Sequence, residues 1–176
     1  VPFPAARSVA LTGNLRCRIS IVESPCYRFS MRKRPAARLL VLDRENRVLL
    51  FHFVFDDGAL AGDRYWATPG GALEQGESFL DAAERELLEE TGISAPIGAQ
   101  VLQRTVIFPT PTGERVEADE RYFLVHVNDN SVDESGQGTL ENRYMKTFRW
   151  WTLEELETTS DKVFPEGLVD LIERQT

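Results

Sequence analysis

The sequence has no apolar run near the roughly 18 residues that span a bilayer, no internal repeat and no low-complexity tract. A transmembrane helix, a solenoid and a solvated linker are therefore not expected. Cysteine is scarce: Cys17 and Cys26 stand alone, both ahead of the first convincing strand. They form neither a close metal-ligand pair nor a disulfide framework, so a reducing cytoplasm is the expected compartment. Basic charge is also in short supply, with 20 Lys plus Arg against 28 Asp plus Glu and a formal net charge of −8. This balance opposes duplex nucleic acid and membrane surfaces as partners. It does not exclude a small polyphosphate, because a bound cation can reverse the sign of the field locally. The first thirty residues lack the continuous apolar stretch of an export signal. Val1 to Ser30 reads as an N-terminal extension that is loosely ordered, adds an edge element or lies upstream of an internal start, before one domain over 31–176 whose length suits a single core.

Regular alternation begins after Met31. Ala36 to Asp43 and Val48 to Phe55 are two apolar runs joined by the polar Arg44–Arg47 turn, which predicts a β-hairpin. In the second run Phe51, Phe53 and Phe55 share one face and Leu50, His52 and Val54 the other, making His52 a strand histidine. Tyr65-Trp66-Ala67 is a short strand stopped by Pro69-Gly70-Gly71. Further strands are expected over Val101–Phe108, Arg121–Val127 and Lys146–Trp151, with Pro109 to Glu120 as a polar, mobile loop. Thr152 with Glu155 forms a second start signal, and Leu168, Val169, Leu171 and Ile172 give a last helix its apolar face. Strands in this order around one strongly marked helix predict an α/β domain with a mixed sheet.

That helix runs from about Ser78 to Thr91, opened by the Ser78/Asp81 capping box and closed by Gly92. At about 100° per residue, Glu86, Glu89 and Glu90 share a sector with Phe79, Ala82 and Ala83, while Leu80 and Leu87 flank it toward the sheet. Acids there sit in the C-terminal half, where the macrodipole disfavours each by about 0.3–1 kcal/mol and the Glu86–Glu90 pair adds some tenths. Glu-rich helices are common as solvated surfaces, so the cluster alone is ambiguous. A divalent cation would neutralise it, and Mg²⁺ favours carboxylate oxygen, water and phosphate.

The neighbouring positions resolve the ambiguity. Starting at Gly71, the chain reads Gly, five residues, Glu77, seven residues, Arg85-Glu86-Leu87, one residue, Glu89-Glu90, one residue, Gly92-Ile93. So many fixed positions in a strand–turn–helix–turn context resemble the Nudix box in full, and likeness to the Nudix hydrolases extends from about Arg34 to Glu173. The resemblance implies an α/β/α sandwich carrying the box as loop–helix–loop, and metal-dependent cleavage of a nucleoside diphosphate linked to another group. It implies Mg²⁺, with Mn²⁺ as a substitute, held by Glu86, Glu89, Glu90 and the Gly71 carbonyl. Arg85 would orient a box carboxylate, Glu77, through a bidentate pair. Glu89, Glu90 or an acid on the following loop would accept the proton of the attacking water; Glu120 is the loop candidate, with Asp119 and Glu117 competing.

Arg38, Phe53, Trp66 and Pro109 are the candidate substrate contacts. Pro109 lies sixteen residues past Ile93, a position associated with ADP-ribose-cleaving members, so ADP-ribose or a nucleotide sugar leads and a nucleoside triphosphate or oxidised nucleotide is the alternative. A domain of this fold that binds nucleotides without cleaving them would be expected to lose box acids, which this chain keeps. Exposed aromatic strands make a homodimer a further expectation.

Overall fold

The computed structural model describes residues 31–136, 138 and 143–175; the N-terminal extension read from the sequence lies outside them. Among the described residues there are eight strands: β1 (Arg32–Lys33), β2 (Ala36–Leu42), β3 (Val48–Val54), β4 (Arg64–Ala67), β5 (Gln100–Pro109), β6 (Arg115–His126), β7 (Met145–Trp151) and β8 (Val163–Phe164). The helices that pack on them include α1 (Phe79–Thr91), α2 (Leu153–Thr158) and α3 (Leu168–Glu173). They form a mixed sheet of order β1-β6-β2-β3-β4-β8, with β5 added to β6 and β7 to β3.

β2 and β3 form the expected hairpin, but they pair only at Leu42–Val48 before diverging. β3 continues between β4 and β7, while β2 runs parallel to β6 along its whole length, from Ala36–Glu120 to Leu42–His126. The edge of β2 released by β3 is taken up by the loop after β4: Leu39 N–H donates to Pro69 at 2.9 Å, Ala37 N–H to Gly71 at 3.0 Å, and Leu73 N–H to Pro35 at 3.0 Å. A buried strand edge needs partners for its amides, and the box loop supplies them.

Period-two alternation along β2 and β3 divides the core between the sheet's faces. Leu39, Val41, Leu49 and Phe51 pack with Ala82, Ala83 and Leu87 of α1 on one side. Leu40, Leu42, Val48 and Leu50 pack with Trp66, Trp151, Leu156 of α2 and Leu168, Leu171 and Ile172 of α3 on the other. The result is the α/β/α sandwich expected from the sequence.

Two local expectations are corrected. Pro109 to Glu120 is not a loop: β5 runs through Pro109, the turn is confined to Thr110–Glu114 with Gly113 at φ 88°, and β6 starts at Arg115. The Arg115–Glu120 segment reads as polar because its inward positions are small or charged, Val116, Ala118 and Glu120, yet all three are buried. Leu80 does not pack on the sheet; it is 50% exposed, as Leu88 is at 55%, because α1 presents only its alanine, Leu87 and Glu86/Glu90 face inward.

Leu87 is 1% exposed and Leu88, its neighbour, faces solvent. Leu87→Ala should therefore lower unfolding free energy by about 2–5 kcal/mol, whereas Leu88→Ala should change it by no more than ~0.5 kcal/mol. Urea denaturation of the pair checks the orientation of α1; equal losses would contradict it.

Candidate active site

Helix α1 is fixed at both ends. Ser78 Oγ accepts the Asp81 N–H at 3.2 Å, Asp81 returns the bond to Ser78 N–H at 2.9 Å, and Gly92 closes the helix in the left-handed region at φ 68°. This register points Glu86 and Glu90 at the Gly70–Gly71 turn. The Gly70 N–H donates to Glu90 Oε2 at 2.7 Å. Gly70 is required sterically: at φ 122°, a Cβ there would come within 2.3 Å of the Ala37 carbonyl oxygen; a Cβ on Gly71 would come within 2.3 Å of Glu86 Oε1 and displace that carboxylate. Glu86 and Glu90 are buried, at 9% and 5% exposure, while the Glu89 side chain is 51% exposed. Burial pushes the Glu86 carboxyl above the usual range, and the bond from Arg85 counters it in part.

Arg85 holds the group together. Its Nε and Nη2 grip Glu77 at 2.7 and 3.0 Å, Nη1 bridges Glu86 at 2.9 Å and Glu89 at 3.0 Å, and Nη2 also reaches the Ala72 carbonyl at 3.1 Å. The Glu77 pair is the bidentate one expected from the sequence. Glu77 also accepts the Glu74 N–H at 2.8 Å, closing the turn before α1.

The donor set suits a hard divalent cation: Glu86, Glu89 and Glu90 offer carboxylate oxygens, two of them withdrawn from water. Among the described residues no three acidic, His or Cys side chains already surround a common point, and Arg85 supplies the positive charge. The Gly71 carbonyl accepts Ala37 N–H, and the Gly70 carbonyl accepts Arg38 Nη1 at 2.6 Å. Each carbonyl thus has one lone pair already occupied, leaving the carboxylates as the main donors.

On the side of β2 away from α1, Arg38 Nε meets Glu120 Oε1 at 3.2 Å, and Arg104 Nε meets Glu120 Oε2 at 2.8 Å. Tyr122 donates its hydroxyl to the same carboxylate at 3.1 Å. Burial works against the Glu120 charge, but Arg38 and Arg104 outweigh it and hold the carboxyl below the usual range. Glu120 therefore sits in mid-strand inside an ion-pair network, and not at the end of a loop. Arg38 lies between this network and the box turn, joining the two. Arg34 and Arg104, missed in the sequence, belong to the same face; Arg34 shares the alternation of Ala36 and Arg38, and Arg104 is the register partner of Glu120.

The remaining candidates separate. Phe53 stacks on Tyr65 at 5.4 Å between ring centres, and Phe55, Tyr144 and Phe164 extend this group. Trp66 is 8% exposed, stacked on His52 at 4.6 Å and bonded through its indole N–H to Asp161 at 3.1 Å, within the core on the α2/α3 side. Pro109 is exposed at the end of β5, paired with Arg115. A surface cavity of about 550 Å³ is lined by segments 91–96, 126–129 and 131–133 and contains none of the box carboxylates.

The Arg85 clamp has a pH signature. Glu77 is held down to about 2 from an ordinary 4.5, chiefly by its bond from Arg85. A carboxyl depressed on folding contributes stability above its ordinary value, and that stability is lost as pH falls toward the folded value. The melting temperature should thus decline between pH 4.5 and about 2, and Glu77→Gln should remove that component of the decline. An identical profile in the variant would show that the pair does not stabilise the fold.

Comparison with known proteins gives a family. The model of the NUDIX domain matches residues 32–172. Curated relatives match over shorter segments: an RNA pyrophosphohydrolase of Mesorhizobium japonicum is 42% identical over 62 residues, 34% of this chain and 36% of that protein. A putative 8-oxo-dGTP diphosphatase of Bacillus subtilis is 50% identical over 36 residues, 20% of this chain and 24% of its own. The chain thus spans about a third or less of the length of these relatives. Among solved structures, a MutT protein from Methanosarcina mazei superposes with TM-score 0.60 at 23% identity, covering 82% of this chain and 93% of that one. The NUDIX domain of Shewanella oneidensis NrtR, complexed with ADP ribose, does so with TM-score 0.61 at 16% identity, covering 84% and 91%. Those two likenesses concern the fold, whereas the domain match covers most of the chain. The chain belongs to the Nudix family.

Proposed function

We propose that the chain is a divalent-cation-dependent pyrophosphohydrolase acting on a nucleoside diphosphate linked to another group, with ADP-ribose or a nucleotide sugar as the leading substrate class. The observation that carries this reading is the pair of buried carboxylates, Glu86 and Glu90, held at a turn that two glycines keep open and tied to Glu89 through Arg85. Mg²⁺ or Mn²⁺ held there would neutralise phosphoryl oxygens and lower the pKa of a water for in-line attack.

The chain's own residues supply the rest. Glu86, Glu89 and Glu90 hold the cation, and Arg85 keeps the first two within reach of it. Glu89 is the most accessible of the three and is the acceptor we assign for the proton of the attacking water. Glu120 is a weaker acceptor, because both of its oxygens are already bound by guanidinium groups. Arg38 contacts the substrate's phosphates from the Gly70 side. Phe53 and Tyr65, stacked and half-buried, offer a face to a base or sugar. ADP-ribose also agrees with the ligand named for the NrtR domain. A triphosphate is the second reading, favoured by the name of the Bacillus subtilis relative. The partner is in either case a small nucleotide, not duplex nucleic acid. No described helix is long and apolar enough to cross a membrane.

The test is Mg²⁺-dependent product release from ADP-ribose, nucleotide sugars, dinucleoside polyphosphates and nucleoside triphosphates. AMP from ADP-ribose is the expected product; pyrophosphate from triphosphates would transfer the assignment to the second reading. Glu90→Gln should lower kcat/KM by about 100-fold or more, ~3 kcal/mol of transition-state stabilisation, with the fold retained. Near-normal turnover in that variant would remove Glu90 from the cation site, and silence across the panel would favour a domain that binds without cleaving.

A further inference from the structure

Among the described residues, the cations of β1, β2 and β5 are all paired, and Arg34, between β1 and β2, is not. Arg32 closes on Glu114 at 2.9 Å, Lys33 on Glu117, and Arg38 and Arg104 share Glu120. Arg34, in the same stretch, makes no ion pair of this kind. Its Nη1 is buried without a hydrogen-bond partner, and its guanidinium rests over the Phe108 ring, 5.9 Å from the centroid. A buried guanidinium nitrogen without an acceptor is unfavourable and calls for an explanation.

Its position supplies one. Arg34 precedes Pro35, whose carbonyl is bonded to Leu73 of the box loop, and Ala36, which bridges to Ala72. Burial and the neighbouring Arg38 both work against its charge, while Glu120 and Glu86 favour it, so it lies within electrostatic reach of both the network and the box. Arg38 and Arg104 are both engaged by the single Glu120 carboxylate, and Arg34 lies within electrostatic reach of it, leaving an excess of positive charge near Glu86 in a chain whose net charge is −8. Such a pairing of acidic and basic halves matches a diphosphate: one side of it faces a cation held by carboxylates, the other requires direct N–H donors.

We propose that Arg34 is a substrate-recognition residue that donates to a phosphoryl oxygen of the diphosphate, beside Arg38. This rests on the pyrophosphohydrolase reading and adds to it a residue outside the box. Arg38 and Arg104 are bonded to Glu120, whereas Arg34 keeps a guanidinium nitrogen with no protein partner.

The test uses the full chain, Arg34→Gln and Arg34→Lys. Inorganic pyrophosphate in EDTA is the binding probe, read as a thermal shift, with sodium sulfate at matched ionic strength as the control for screening. Pyrophosphate should stabilise the wild type, lose most of this effect with Arg34→Gln and recover part of it with Arg34→Lys. Without ligand, Arg34→Gln should melt no lower than wild type, because the variant removes an unsatisfied buried charge. In turnover with Mg²⁺, KM should rise about tenfold while kcat stays within about threefold. A pyrophosphate shift that is absent in the wild type or unchanged in Arg34→Gln overturns the proposal. A drop in melting temperature with kcat and KM unaltered does so as well, since it makes Arg34 a packing residue on Phe108. Arg34-dependent pyrophosphate binding without turnover of any substrate would instead leave this inference standing and remove the hydrolytic reading.

Discussion

Carboxylates brought next to an apolar core must find positive charge or N–H donors within the structure, and the arrangement around α1 follows from that requirement. Glu86 and Glu90 lie in the helical half where the dipole opposes them, and they are buried. The Gly70 amide and the Arg85 guanidinium answer them, and each of these donors has conditions of its own. The amide can point at Glu90 only if the turn takes a left-handed glycine conformation. The guanidinium can bridge Glu86 and Glu89 only if Glu77 holds its other edge. The stitching of Pro69, Gly71 and Leu73 to β2 then fixes the turn relative to the sheet. The spacing of the box is thus a mechanical specification as much as a chemical one.

What could be read in advance is what short-range chemistry determines. Ser78/Asp81 and Thr152/Glu155 form capping boxes, and both are made by bonds between residues three apart. The β2–β3 hairpin and the Arg85–Glu77 pair are likewise local. The second half of the site was hidden because its contacts join strands far apart in sequence: Arg38 and Glu120 are 82 residues apart, and Arg104 meets Glu120 only through the β5–β6 register. Arg115–Glu120 carries the composition of a loop but the alternation of a strand, with small or charged residues at its inward positions. Composition misled there, and period two would have been the better guide.

The net charge shows the same division between global and local properties. An excess of acid over base describes how the whole chain meets a polyanion at a distance, within a Debye length of its surface. It does not describe the surroundings of Glu120, where Arg38 and Arg104 converge on one carboxylate. A small anion that came close would experience that local field, whereas a rigid duplex would meet the acidic exterior. Size selection can in this way arise from charge distribution, without a dedicated gate.

Glu89 differs from its neighbours in being half-exposed and held to the structure by a bond from Arg85. Gly70, by contrast, has no room for even a methyl group, and one on Gly71 would push the Glu86 carboxylate aside. Sequence change over evolutionary time therefore meets very different resistance at positions that serve the same chemistry. Loss of Gly70 would disturb the fold, while loss of Glu89 would leave the domain well formed and, on the function proposed above, without its proton acceptor. Descent from hydrolase to sensor, on a scaffold of this kind, is a short mutational path with a nearly level stability profile.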